Sequence, residues 1–178
     1  MSYDPSHHHR RSIRLKGYDY SLPGAYYVTI VTQTRTALFG EILGTEMRLN
    51  QAGQMIDNWW ATLAERFPTI TLDTHVIMPN HINGIVVITA GPTPESPNYA
   101  LDAPALAAIV QWFKTMTTNA YIRAIKADGW PQIQGRLWQR NYYEHVIRND
   151  VELERIRAYI QDNPAKWQED TENPAHPL

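Results

Sequence analysis

Residues 82–88 constrain the fold of this 178-residue chain more than any other segment. They follow the turn-forming pair Pro79-Asn80 and His81, and they are almost entirely apolar and β-branched. A short run of this composition, bounded by a turn signal, predicts a buried strand. The chain is therefore expected to fold around a sheet that other elements cover.

Other segments alternate between strand and helix patterns. Strand patterns occupy residues 26–32, 38–49 and 70–78, the second of them a hairpin broken by Gly40 and Gly44. Helix patterns run from an Asn50 cap to about residue 67, from 106 to 116, and from about 150 onward. Residues 91–104 are rich in proline and predict a loop, and residues 128–148 are predicted to be irregular. This order predicts an α+β fold, with one antiparallel sheet and helices packed on one face.

Cysteine is absent from the chain, which excludes disulfides, zinc–thiolate sites and thiol nucleophiles. A metal ion would therefore be bound by histidine, carboxylate or amide groups. No segment is long and apolar enough for a membrane span, and the N-terminus lacks the pattern of a secretory signal. We therefore expect a cytoplasmic protein with no membrane partner.

Charge is distributed unevenly, although the net charge is only −2. Residues 1–17 form a predicted basic arm, residues 18–167 a single predicted domain, and residues 168–178 an acidic tail that contains proline. A second basic zone lies within residues 112–148. A solvated surface explains each zone when it is taken alone, but two basic zones in an otherwise acidic chain favour a polyanionic partner.

The first candidate site is the polar–apolar–polar triplet of His81, Ile82 and Asn83. Side chains alternate along a strand, so His81 and Asn83 share one face and Ile82 points to the other. Polar groups at the mouth of a buried strand are unfavourable unless they are bound to something. Hydrogen bonds to neighbouring turns would be enough to partner both side chains. When only His81 and Asn83 are considered, such hydrogen bonds are favoured over the binding of a metal ion.

The second candidate site lies on the helix predicted from about residue 150. Asn149 and Glu152 fit a capping box, and Pro164 ends the helix. Tyr159 and Asn163 are four residues apart and therefore lie on one face, a turn from each other. A core tyrosine and a C-terminal cap explain the two residues when each is taken singly.

Taken together, these segments resemble the single-tyrosine HUH transposases, and most closely their REP-associated tyrosine transposase branch. The resemblance extends from residue 10 to about residue 167. The matching stretches are residues 10–14, 17–20, 24–30, 39–41, 76–85, 137–148 and 159–164. The proline-then-triplet motif, followed later by the Tyr-x-x-x-Asn-Pro motif, makes the resemblance specific.

The resemblance implies a ferredoxin-like sheet with the triplet on a central strand and the tyrosine on a facing helix. In that family two histidines of the triplet, and a polar residue one turn after the tyrosine, bind a divalent metal. By position His81 and Asn163 are then ligands and Tyr159 is the nucleophile, while Asn83 stands where the second histidine is expected. The implied cofactor is Mg²⁺ or Mn²⁺. The implied reaction is nicking and strand transfer of single-stranded or hairpin DNA through a 5′-phosphotyrosine.

Asn83 leaves two outcomes open. Its amide offers a neutral oxygen, which Mg²⁺ accepts readily, whereas Mn²⁺ would lose a nitrogen ligand. The chain is then either a working or weakened nickase, or an impaired or repurposed relative that still binds DNA. His75 and His145 are candidates for a compensating ligand, and Glu144 and His145 are candidates for proton handling or orientation.

Basic and aromatic residues are candidates for holding the DNA. Basic side chains would contact phosphates, and Trp138, Tyr142 and Tyr143 would stack on unpaired bases unless they pack in the core. The predicted DNA-binding set is Arg10, Arg11, Arg14, Lys16, Arg136, Trp138, Arg140 and Arg148. Ferredoxin-like sheets also bind RNA through exposed aromatic residues, so RNA binding is a further alternative. Both a monomer and a homodimer are compatible with the sequence.

Overall fold

The computed structural model describes residues 18–89 and 105–175. The predicted basic arm, the predicted loop at 91–104 and the last three residues lie outside this part of the chain. In chain order the elements are β1 (Gly24–Val31), β2 (Gly40–Leu43), β3 (Glu46–Leu49), α1 (Gln51–Arg66), β4 (Ile70–Ile77), β5 (His81–Ile88), α2 (Leu106–Asp128), β6 (Tyr143–Ile147) and α3 (Asp150–Asp162). A 3₁₀ turn at Trp167–Glu169 follows α3.

Four strands form one sheet in the order β4-β5-β1-β6, and every neighbouring pair is antiparallel. Strands β2 and β3 pair with each other as a separate hairpin. When this hairpin is set aside, the elements from β1 to β6 follow the order β-α-β-β-α-β, and α3 comes after them. This arrangement confirms the predicted α+β class and its ferredoxin-like sheet, in which the two inner strands are β1 and β5.

Local signals in the sequence set most of the element ends. The side chain of Asn50 accepts a hydrogen bond from the Gly53 amide at the start of α1, and Asn149 accepts one from the Glu152 amide at the start of α3. Both caps agree with the prediction. Strand β6 is the exception, because residues 128–148 were predicted to be irregular and this short edge strand mixes polar and apolar residues. Its pairing with β1, rather than any local pattern, makes it a strand.

One face of the sheet carries the main core, which is covered by α1 and α2 as predicted. Trp60 of α1 is almost fully buried and packs edge-to-face against Phe113 of α2, with ring centroids 5.5 Å apart. The indole also lies against Gly84 of β5, where a Cβ would come within 2.5 Å of a ring carbon. Only glycine at this position allows the helix to approach so closely.

Helix α3 lies on the opposite face of the sheet from α1 and α2, so helices cover both faces and not the one face that was predicted. Ile156 and Ile160 of α3 pack with Tyr27, Ile85 and Ile147 of the sheet in a second, smaller cluster. This packing brings the C-terminal end of α3 over the strand that begins with the His81 triplet, which positions the candidate site.

An ion pair holds α3 against the outer strand β4. The Arg157 guanidinium donates to both carboxylate oxygens of Asp73, over 2.9 and 2.5 Å. Hydrogen bonds from Arg157, and further ones from Thr74, hold the pKa of Asp73 at about 2, below its usual range. The pair therefore favours the ionised carboxylate and fixes the orientation of the helix that carries Tyr159.

Candidate active site

His81 and Asn83 lie on the α3 side of the sheet, as the alternation of side chains predicts. In the register of β1 with β5, His81 is opposite Val31 and Asn83 is opposite Thr29. Both polar side chains are 1% exposed, and Ile82 between them belongs to the main core on the other face. Buried polar groups at this density need hydrogen-bond partners or a bound ligand.

Asn80 fixes the proton arrangement of His81. The Asn80 amide nitrogen donates to the backbone carbonyls of Arg35 and Glu172, over 2.9 and 2.7 Å, so its side-chain oxygen is the atom that faces His81. That oxygen lies 2.9 Å from His81 Nδ1, which must therefore carry a proton. Burial lowers the pKa of His81 to about 4, so the ring is neutral at pH 7 and Nε2 presents a lone pair to the site.

The Asn83 amide joins the other polar groups of the site. Its oxygen accepts from the hydroxyls of Tyr27 and Thr29, over 2.8 and 2.6 Å. Its nitrogen donates to His81 Nε2 over 3.1 Å and to the side-chain oxygen of Asn163 over 2.5 Å. The structure therefore brings together three of the predicted site residues, His81, Asn83 and Asn163, around one amide nitrogen.

Tyr159 lies one helical turn before Asn163 and borders the same cluster. Its ring packs edge-to-face on Tyr27, with centroids 6.2 Å apart, and the side chain is 46% exposed. Burial raises the pKa of Tyr27, and the neighbouring Tyr159 hydroxyl raises it further, so Tyr27 stays protonated and donates to Asn83. Tyr159 is thus the exposed phenol and Tyr27 the buried one, and only the first is accessible to a large substrate.

The segment after α3 folds back over His81. The Trp167 ring lies against the imidazole with centroids 6.1 Å apart. The Asp170 side chain is 7% exposed, and its Oδ2 lies 3.7 Å from His81 Nε2 without any hydrogen-bond partner within the described residues. The other oxygen, Oδ1, accepts from the Glu172 amide over 2.7 Å.

The donor atoms in the cluster fit a hard divalent cation. Within residues 18–89 and 105–175, no three His, Cys, Asp or Glu side chains converge on one point, so amide oxygens would have to contribute. His81 Nε2, the side-chain oxygen of Asn163 and Asp170 Oδ2 together form a mixed set of one nitrogen and two oxygens. The orphaned carboxylate oxygen decides the fit, because a buried anionic oxygen is expected beside a cation. Mg²⁺ and Mn²⁺ both accept this set.

His75, His145 and Glu144 do not join the cluster. His75 lies on the α1 face, where Nε2 is 2.7 Å from an Asp57 oxygen and the ring contacts Trp60. Glu144 is opposite Val28 in the sheet and buried on that same face. His145 lies on the α3 face, but its Nε2 is bonded to Glu152 at the start of α3, 2.8 Å away. A compensating ligand from either histidine is therefore not supported.

The predicted DNA-binding residues fall into three groups. Arg136, Arg140 and Arg148 are exposed. Trp138 is 3% exposed and donates to the Thr117 hydroxyl over 2.8 Å, so the prediction that it stacks on bases is wrong, because its ring fills the core. The residues of the basic arm, Arg10, Arg11, Arg14 and Lys16, lie outside the described part of the chain.

Tyr143 is the aromatic residue that remains available for stacking. It is 45% exposed, and its ring packs edge-to-face on Tyr27 with centroids 6.0 Å apart. Tyr143 and Tyr159 thus flank the same buried ring and form an exposed aromatic border beside the site. Tyr142 is half-buried and lies under the Lys114 ammonium.

Sequence reasoning missed several residues of the site. Tyr27 and Thr29 lie two positions apart on β1, as His81 and Asn83 do on β5, and this shared alternation was the available signal. The role of Asp170 had no local signal, because only the fold brings the tail to His81.

Comparisons with known proteins find two relatives of this chain in one organism. No family profile matches the chain. A Haemophilus influenzae protein of uncharacterised function is 37% identical over 173 residues, covering 94% of this chain and 95% of the relative. A second protein of that organism, named for the REP-associated tyrosine transposases, is 27% identical over 152 residues, covering 83% and 74%.

A solved structure shares the fold. The structure of a REP-associated tyrosine transposase bound to a REP hairpin superposes with a TM-score of 0.52 at 20% identity, covering 88% of this chain and 74% of that one. At this level of identity the likeness establishes the ferredoxin-like fold. Among the helices that the structure describes, none has the length and apolar character to cross a membrane.

Proposed function

We propose that this chain, which belongs to the REP-associated tyrosine transposase branch of the single-tyrosine HUH transposases, nicks and rejoins single-stranded or hairpin DNA through Tyr159. The phenol oxygen attacks the scissile phosphorus, a new O–P bond forms, and the bond to the 3′ oxygen breaks. The products are a 5′-phosphotyrosine and a free 3′-OH, which takes up a proton as the phenol gives one up. Attack by another 3′-OH reverses the step at a new end.

The observation that carries this proposal is the position of Tyr159. An exposed phenol stands one turn from Asn163, which is hydrogen-bonded into the buried cluster of His81 and Asn83. A large polyanion can reach this phenol from solvent, and its phosphate would then lie close to the groups that would hold a cation. The arrangement therefore supports a nucleophile at the surface beside polar groups that could organise a phosphate.

His81 and Asn163 are the residues that would hold a divalent cation, together with Asp170. The chemistry that Mg²⁺ or Mn²⁺ supplies in such a site is polarisation of the scissile phosphate for in-line attack. The neutral imidazole is already deprotonated at Nε2, since Nδ1–H is bonded to Asn80, so no proton has to leave before binding.

The exposed basic residues support DNA as the partner. Arg136 and Arg140 line a cavity of about 490 Å³ between α2 and the loop that precedes β6. Lys114 of α2 also lines this cavity. Guanidinium groups bind phosphate through paired hydrogen bonds. A related structure contains a REP hairpin, and we extend that type of partner, hairpin DNA, to this chain.

The experiment mixes the protein with labelled hairpin DNA carrying single-stranded flanks and Mg²⁺ or Mn²⁺, and resolves the products on a denaturing gel. We expect a covalent adduct with the wild type and none with Tyr159→Phe. Tyr143→Phe is the matched control, because Tyr143 has nearly the same exposure and contacts the same Tyr27 ring. An adduct that survives Tyr159→Phe would overturn the proposal.

A second candidate function is DNA binding without nicking, and the Asn83 amide favours it. The nitrogen of this amide donates to both His81 Nε2 and the Asn163 oxygen, so the one lone pair of Nε2 already has a partner within the protein. Hairpin binding that is unaffected by EDTA and by Tyr159→Phe, with no adduct at any metal concentration, would select this function. An adduct in Asn83→His alone would identify the missing histidine as the cause.

A further inference from the structure

We propose that Asp170, from the segment after α3, is a ligand of the metal site and supplies the donor that the family motif loses at Asn83. This inference rests on the metal use proposed above. It concerns a residue that lies outside the triplet and outside the Tyr-x-x-x-Asn-Pro motif, and the structure brings it within 3.7 Å of His81 Nε2.

The burial and hydrogen bonding of the Asp170 carboxylate suit a metal ligand. The side chain is only 7% exposed, yet Oδ2 has no hydrogen-bond partner within the part of the chain that the structure describes. Buried carboxylates are normally paired with a cation or bound to a metal. Arg35 Nε lies 3.0 Å from the Glu172 carboxylate, two residues further along the same segment.

The segment that carries Asp170 is held in place by specific contacts. The Glu172 carbonyl accepts from the Asn80 side chain over 2.7 Å, directly beside His81 in the chain. The Trp167 carbonyl accepts from the Asn173 side chain over 2.9 Å, and the Trp167 ring packs against His81. The carboxylate is therefore positioned by the fold on both sides of it, as a ligand must be.

The chemistry of a carboxylate suits the gap left by Asn83. The Asn83 oxygen is turned away from the site toward the Tyr27 and Thr29 hydroxyls, so the amide presents only N–H groups to His81 and Asn163. An amide nitrogen has no lone pair to give to a metal. Asp170 Oδ2 offers a charged oxygen next to the same imidazole, which favours Mg²⁺ and Mn²⁺ over softer ions.

The test measures Mn²⁺ binding to the full chain by calorimetry, with electron paramagnetic resonance of free Mn²⁺ as a second readout. Asp170→Asn keeps the shape of the side chain and removes its charge. We expect it to weaken Mn²⁺ binding by at least about tenfold, the lower end of the loss seen when groups around a metal are changed. Glu169→Gln is the matched control, because this exposed neighbour should leave the affinity unchanged.

The thermal midpoint in EDTA separates a ligand from a structural residue. The Asp170 Oδ2 atom has no partner to stabilise the fold in EDTA, and the asparagine oxygen can still accept from the Glu172 amide. Asp170→Asn should therefore melt at or above the wild-type temperature in EDTA and lose the Mn²⁺-induced increase. Unchanged Mn²⁺ affinity in Asp170→Asn, or a wild type that binds no Mn²⁺, would overturn the assignment.

Failure of this inference is distinguishable from failure of the proposed function. Mn²⁺ binding that depends on Asp170 in a protein that forms no adduct would contradict nicking and leave the ligand in place. A Tyr159-dependent adduct together with unchanged Mn²⁺ affinity in Asp170→Asn would contradict the ligand and leave nicking in place.

Discussion

The side-chain nitrogen of Asn83 lies 2.5 Å from the side-chain oxygen of Asn163, and this hydrogen bond joins the inner strand β5 to the end of α3. The same nitrogen is 3.1 Å from His81 Nε2. The Asn83 amide therefore links the two donor atoms proposed for the cation. His81 Nε2 has a single lone pair, which can accept this hydrogen bond or bind a metal, so Asn83 is expected to weaken the site.

Replacing Asn83 with histidine should strengthen metal binding. The imidazole adds a nitrogen ligand and removes the N–H groups that occupy His81 and Asn163, so we expect Asn83→His to bind Mn²⁺ more tightly, by roughly tenfold or more. The Tyr27 and Thr29 hydroxyls lose their acceptor, which should lower the free energy of unfolding by about 1–3 kcal/mol. Calorimetry and urea unfolding in EDTA measure the two effects.

The control for this substitution is Asn163→Ala in the Asn83→His background. It removes the proposed third ligand and should abolish the gain in Mn²⁺ affinity. A gain that persists in full without Asn163 would exclude Asn163 as a ligand of the site.

Two aromatic residues should separate DNA binding from stability. Trp138→Ala empties a core position and should lower the free energy of unfolding by about 3–5 kcal/mol. Tyr143→Ala should leave stability nearly unchanged and weaken single-stranded DNA binding by about 1–3 kcal/mol, the contribution of one stacked base. Urea unfolding and fluorescence anisotropy with labelled DNA test both expectations. Equal DNA affinity in Tyr143→Ala and the wild type would remove this tyrosine from the DNA-binding surface.

The cavity beside α2 should contribute phosphate contacts. Arg136→Ala and Arg140→Ala should each weaken DNA binding and reduce the slope of log affinity against log salt by about 0.7–1. The charge-matched control is Arg66→Ala, because Arg66 is an exposed residue at the end of α1 that packs over Phe67. A salt slope that changes equally in all three variants would show a general effect of charge rather than a binding cavity.

The Asp73–Arg157 pair should make stability depend on pH. The folded-state pKa of Asp73 is lowered to about 2 from 3.8, so its contribution is fully present above pH 4 and is lost as the pH falls through 2. We expect Asp73→Asn to lower the free energy of unfolding at pH 7 by about 1 kcal/mol, after allowance for solvent screening. The difference from the wild type should shrink at pH 2. Urea unfolding at both pH values checks this, and an equal difference at both would exclude the ion pair as the cause.

The sequence predicted those parts of the site that depend on local patterns along a single strand or helix. Alternation placed His81 and Asn83 on one face, helical spacing placed Tyr159 and Asn163 one turn apart, and the resemblance brought the two segments together. The orientation of the Asn83 amide was not predictable, because it depends on hydroxyls from β1. The position of Asp170 beside His81 was not predictable either, because the two residues are 89 positions apart in the chain and the tail has no periodic pattern.

The most direct test of Tyr159 as the nucleophile is to identify the residue that becomes joined to DNA. After the protein is incubated with hairpin DNA and Mn²⁺, the adduct is digested with nuclease and trypsin and its peptides are analysed by mass spectrometry. Cleavage after Arg157 and Lys166 releases residues 158–166, in which Tyr159 is the only tyrosine. We expect a nucleotide mass on this peptide. A nucleotide mass on the peptide that contains Tyr143 instead, or no adduct with DNA that binds, would contradict it.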